Sequence, residues 1–99
     1  MTVSYHPSVQ DGVNETLDYY RRAGGEPLAD RFFRELTGCI KEMAAYPERH
    51  PFYLGKIPYR RLRLAHFPYV IVFRILKDRV RITVVKHEKR NPSYGMKRR

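Results

Sequence analysis

Residues 59–87 read YRRLRLAHFPYVIVFRILKDRVRITVVKH, and their alternation decides the fold. Arg60, Leu62 and Leu64 share one side of an extended chain, while Tyr59, Arg61 and Arg63 share the other. Ala65 to Pro68 turns the chain. Tyr69 to Leu76 is dense in branched and aromatic residues, as strands are. Lys77-Asp78 forms a two-residue hairpin loop, and Asp78 tolerates an unusual backbone conformation there. Val80, Ile82 and Val84 then alternate with Arg81, Thr83 and Val85. Three strands joined so briefly make an antiparallel meander over 59–86.

Upstream, the hydrophobic period is that of helices. Val3 and Tyr5 suggest a short first strand, ended by His6-Pro7. A first helix begins after Ser8, where Ser8 and Asp11 form a variant of the capping box. Its stripe is Val9, Val13, Leu17 and Tyr20, and Gly24-Gly25 stops it. A second helix begins near Glu26-Pro27, with proline tolerated in its first turn. Leu28, Phe32, Leu36, Ile40 and Met43 mark one face of it; Ala29, Phe33 and Cys39 broaden the stripe. Tyr46-Pro47 ends it, and residues 47–58, with three prolines and a glycine, form a loop. The fold class is α+β: an N-terminal strand and a helical hairpin packed on a twisted antiparallel sheet.

This parity puts Arg61, Arg63 and Arg81 on the sheet face away from the helices, with His87 continuing the parity of Arg81. The middle strand is mostly apolar on both sides, with Tyr69, Ile71, Phe73 and Ile75 on one and Val70, Val72, Arg74 and Leu76 on the other. One layer of helices covers one face only. Either the sheet curls over itself or another chain covers the open face, and the second is the expectation.

Ninety-nine residues make a single domain, 1–99, with a basic tail at 95–99 expected to fray. The net charge of +10 is uneven: residues 1–55 carry −2 and residues 56–99 carry +12. Such a half attracts nucleic acid, an acidic partner, or both. No basic amphipathic helix points to a membrane surface, and the longest apolar run, Tyr69 to Phe73, cannot cross a bilayer. The N-terminus lacks a signal-peptide core, so a cytoplasmic protein is expected. Cys39 is the one cysteine, which excludes a disulfide framework, and no histidines stand at metal-ligand spacing. Neither metal nor cofactor is expected.

His87 stands out among the four histidines for its company, Lys86-His87-Glu88-Lys89-Arg90. A histidine among cations titrates low and can act as a neutral base. RNA cleavage through the 2′-hydroxyl needs a base, cations on the phosphate and an acid for the leaving oxygen. Arg61, Arg63, Arg81, His87, Arg90 and Tyr94 are the candidates for such a site. From the residues alone, a basic patch without catalysis is the stronger reading.

Four stretches in order resemble the RelE/ParE family of type II toxins. They are Tyr5-His6-Pro7 with Asp18-Tyr19-Tyr20; Ala29 to Leu36 with Tyr46-Pro47-Glu48-Arg49; Tyr59 to Leu64 with Phe67 to Ile71; and His87 to Tyr94. The resemblance implies a toxin with a cognate antitoxin, as a homodimer or a toxin–antitoxin hetero-oligomer. RelE-like members cut mRNA on the ribosome with basic sheet residues and a C-terminal tyrosine, which Arg61, Arg63 and Tyr94 would match. ParE-like members poison DNA gyrase. Val70 stands where a RelE-like arginine is expected, and Phe67-Pro68-Tyr69 and His87…Arg90…Pro92 look more ParE-like. The resemblance therefore favours a gyrase-directed toxin over a ribosome-dependent mRNA endonuclease. A non-toxic RNA-binding module is a third possibility.

Overall fold

The computed structural model describes residues 1–55 and 57–99. Residue 56, within the expected loop, lies outside the described residues. The elements are strand β1 (Thr2–Tyr5), helical stretch α1 (Ser8–Ala45), and strands β2 (Tyr59–Arg63), β3 (Tyr69–Ile75) and β4 (Arg79–His87). Two short 3-10 turns, Pro47–Arg49 and Tyr53–Gly55, sit in the connection before β2.

The helical stretch is broken where the glycines predict. Gly25 has φ +75°, a conformation costly for other residues, and Gly24 is also non-helical. The arms on either side fold back as a hairpin, since Val9 and Val13 of one line the same groove as Leu36 and Ile40 of the other. Arg21 straddles the break, pairing with Asp18 before it and Glu26 after it.

The first arm is not capped as expected. Its N-cap is Pro7, and Ser8 makes no capping bond. Instead the Ser8 backbone N–H donates to Nδ1 of His6 at 3.1 Å. The His6 N–H also donates to the Ile82 carbonyl, so one residue ties β1, β4 and the helix start together.

The sheet order is β1-β4-β3-β2. The last three strands form the antiparallel meander, and β1 joins β4 in parallel, making the sheet mixed. The connection at Lys77-Asp78 is closed by Leu76 N–H donating to the Arg79 carbonyl at 2.7 Å. Asp78 does not take the unusual conformation, for Leu54 is the non-glycine residue with positive φ among those described.

One irregularity in β4 changes the parity. Val72 pairs with Val84 but Phe73 pairs with Ile82, leaving Thr83 as an extra residue. This β-bulge reverses which side faces the helices. Before it, Val80 and Ile82 join the helix-side core with Phe32, Leu36, Met43, Ile71 and Phe73. After it, Val85 joins that core while Val84 turns to the opposite face. His87 therefore does not share the side of Arg81.

The apolar strip of the open face, where cover by another chain was the expectation, is packed by the chain's own C-terminal segment. Tyr53, Val70, Val72 and Val84 form a second buried cluster, with Tyr59, Tyr94 and Met96 against it. Gly95, at φ +78° with Val84 against it, bends the segment onto the sheet. The tail, expected to fray, is seated there: Arg98 donates to the Thr83 carbonyl, and Tyr59 donates from its hydroxyl to the Arg98 carbonyl at 2.9 Å.

Burial holds the His6 pKa below its usual value of 6.5, helped by the Arg98 and Arg81 charges. The neutral ring is the one that caps. Its stabilisation is complete above the unfolded-state value and is lost as pH falls through the lower folded value. Replacing His6 by Ala should cost about 1 kcal/mol at neutral pH. Urea unfolding between about pH 5 and 8 should show the wild type losing stability on acidification and His6→Ala losing less. The remaining slope belongs to His50, also lowered by burial. An unchanged pH profile in His6→Ala would contradict the capping role.

Candidate functional site

The bulge divides the six candidate residues into two groups. Arg61, Arg63 and Arg81 lie on the open face, as their parity predicts. His87 lies on the helix side of β4, where its ring meets that of Tyr69 at 5.4 Å. Arg81 is six positions away along the strand, roughly 20 Å at strand rise. The six candidates therefore do not share one face of the sheet.

Three of them do converge. His87, Arg90 and Tyr94 line a cleft of about 230 Å³ beside the first helical arm, with Glu15, Tyr19, Tyr69 and Lys86. The turn after β4 places Arg90 back over this cleft, its N–H donating to the His87 carbonyl. The Arg90 guanidinium stacks on Tyr94 at 3.8 Å, and Arg98 approaches the same ring at 5.2 Å. Nδ1 of His87 accepts a hydrogen bond from the Lys89 backbone at 3.1 Å, leaving Nε2 as its other ring nitrogen.

The remaining three are partly engaged. Arg63 pairs with Glu88 at 2.6 Å. The hydrogen bond from Arg63 pulls the Glu88 pKa down and the same contact raises that of Arg63. Arg81 donates through Nε to the Arg99 carbonyl at 3.3 Å. Arg61 is exposed on β2.

Sequence reasoning missed Lys86. Its side chain is buried, 3% exposed, and points to the open face because of the bulge. Nζ donates to the carbonyls of Pro92 at 2.9 Å and Tyr94 at 3.0 Å, and it lies 4.9 Å above the Tyr53 ring. A lysine within the run Val84-Val85-Lys86 was the available signal, since buried lysines need partners. Aromatic packing was missed too. Tyr20, Phe32, Phe67 and Tyr69 interlock with centroids 5.1–6.2 Å apart. Burial, with Tyr69 and Tyr19 nearby, pushes the Tyr20 hydroxyl up to about 12.

A second surface feature is apolar. Tyr5, Val9, Val13, Phe33, Leu36 and Ile40 line a groove of about 380 Å³ between the helical arms and β1. Phe33, expected to broaden the core stripe, is instead 47% exposed on its rim.

With this geometry in hand, comparison with known proteins is decisive about kinship. Residues 3–92 match the family model described as ParE toxin of type II toxin-antitoxin system, parDE. The chain belongs to the ParE toxin family. It is a type II toxin of the ParE kind, and membership implies a cognate antitoxin. A chain of the solved chromosomal ParDE TA system from P. aeruginosa shares the fold, with a TM-score of 0.76. Identity to it is 16%, over 88% of this chain and 95% of that one. No curated protein matches the sequence. No helix among the described residues is long and apolar enough to cross a membrane.

Lys86 holds the tail of this ParE-family chain to its sheet. Lys86→Met should destabilise the fold by about 2 kcal/mol or more, because buried carbonyls lose a charged donor. Hydrogen exchange should speed up first at residues 94–98. Equal protection there in variant and wild type would contradict the staple.

Proposed function

We propose that this toxin arrests growth in the cytoplasm by acting on DNA gyrase through its surface, without cutting RNA. The observation that carries the reading is the dispersal of the six candidate catalytic groups over two sheet faces. A nuclease needs its base, acid and phosphate cations around one scissile bond. Here Arg61, Arg63 and Arg81 stand on the face opposite His87 (bulge at Val72/Phe73). Tyr94 is flanked by two arginines, with its hydroxyl 3.4 Å from the Arg98 guanidinium. The ParE-like sequence stretches support the same target.

The second reading, a ribosome-dependent mRNA endonuclease, draws support from the cleft shared by His87, Arg90 and Tyr94. The two readings part on a double variant, His87→Ala with Tyr94→Phe. Under the gyrase reading, its induced expression arrests growth as the wild type does, and primer extension finds intact mRNA in both. A nuclease would lose both toxicity and A-site cuts in the double variant.

The apolar groove is the site proposed for the antitoxin. Its rim residue Phe33 offers an exposed aromatic anchor, and a helical segment with apolar residues three and four apart would fill such a groove. Phe33→Glu should leave toxicity intact while co-expressed antitoxin no longer rescues growth, a loss of at least ~100-fold in affinity for a buried anchor. Full rescue of the variant would place the antitoxin elsewhere.

A further inference from the structure

We infer that the open face of the sheet is a binding site for the phosphate backbone of duplex DNA, centred on Arg61, Arg74 and Arg81. Arg74 and Arg81 are direct cross-strand partners. Both alternate with helix-side core residues, Phe73 and Ile75 in one case and Val80 and Ile82 in the other, so both project to the open face. Like charges set opposite each other destabilise a sheet. An anion between them reverses that cost. Arg61, on the neighbouring strand, sits opposite Val72 on the same face.

Among the described residues, side-chain carboxylates pair with Arg21, Arg63, Arg79 and His66, and none pairs with Arg61, Arg74 or Arg81, while Nε of Arg81 is held by the main-chain oxygen of Arg99 at 3.3 Å. The seated tail brings exposed Lys97 and the half-buried Arg98 to the same side. The apolar strip of this face is already filled by Tyr94 and Met96. What remains open is therefore cationic.

The tyrosines decide which feature of a nucleic acid is met. Tyr53 is buried under Lys86, Tyr94 is flanked by Arg90 and Arg98, and the Tyr59 hydroxyl is bound to the tail. Bases would find little open ring to stack on, which argues against a single-strand platform. Backbone phosphates need only cations. Arg61 and Arg81 are two strand spacings and two residues apart, about 12 Å. Phosphates advance about 3.4 Å along the axis per nucleotide of one strand, so three long arginines can reach neighbouring phosphates. This inference stands independently of the gyrase reading.

The test is fluorescence anisotropy of a labelled random-sequence DNA duplex over a salt series, with folding checked by circular dichroism. Wild type should bind with a micromolar Kd and steep salt dependence. Arg61→Gln/Arg74→Gln/Arg81→Gln should bind ~10- to 100-fold more weakly, with a log–log salt slope smaller by about 3. Arg22→Gln/Arg31→Gln/Arg34→Gln, of equal net charge but changed on the helices, should bind as wild type. If the sheet variant does not fold, Lys97→Glu on the exposed tail should still reduce the slope. No wild-type binding at low salt, equal weakening in both triple variants, or tighter binding of single-stranded RNA would each overturn the inference. Gyrase inhibition by a protein that ignores duplex DNA would sink this inference alone. Duplex binding without gyrase inhibition would sink the gyrase reading alone.

Discussion

The extra residue at Thr83 is the constraint on which the rest of the molecule depends. A regular strand from Arg79 to His87 would put Lys86 on the side of Val80, Ile82 and Val84, and Val85 on the side of Arg79 and Arg81. The bulge lets one strand serve two cores in succession. Ile82 and Val85 face the helices, while Val84 and Lys86 face the C-terminal segment. Thr83 itself is fully buried, and its hydroxyl donates to the Val72 carbonyl. With β4 so divided, a sheet backed by one helical layer is covered on both sides by a chain of this length.

The same division sets the surfaces apart. The helical side keeps an apolar groove rimmed by Phe33, suited to a protein segment. The open side is sealed by Tyr94 and Met96 and left cationic at its margin, suited to polyanions. Between the two, at the end of β4, lies the small cleft of His87, Arg90 and Tyr94. The groove proposed for the antitoxin and the surface proposed for polyanions thus lie on different sides of the sheet.

Much of this was legible in the residues. The meander, the hairpin with its glycine joint and the helix-facing stripe follow from period and punctuation, because local pattern and burial agree there. The site was legible only in part. The bulge shows in the residues only as the break Val84-Val85-Lys86, so counting in twos carried His87 to the wrong side. The run Lys97-Arg98-Arg99 reads as a frayed tail, yet Gly95 and Lys86 supply the turn and the anchor that seat it. The cap at His6 was hidden for another reason: the bond comes from a ring nitrogen before Pro7, where Ser8 offered the familiar signature.

The proposed action on gyrase requires only the intact surface of this ParE-family chain and no cleavage chemistry. Purified toxin added to gyrase, ATP and relaxed plasmid tests it most directly. Supercoiling should be lost and linear DNA should accumulate after denaturation, to the same extent with the His87→Ala/Tyr94→Phe variant. Normal supercoiling at toxin in large excess over gyrase, from a preparation that still arrests growth when expressed, would contradict it.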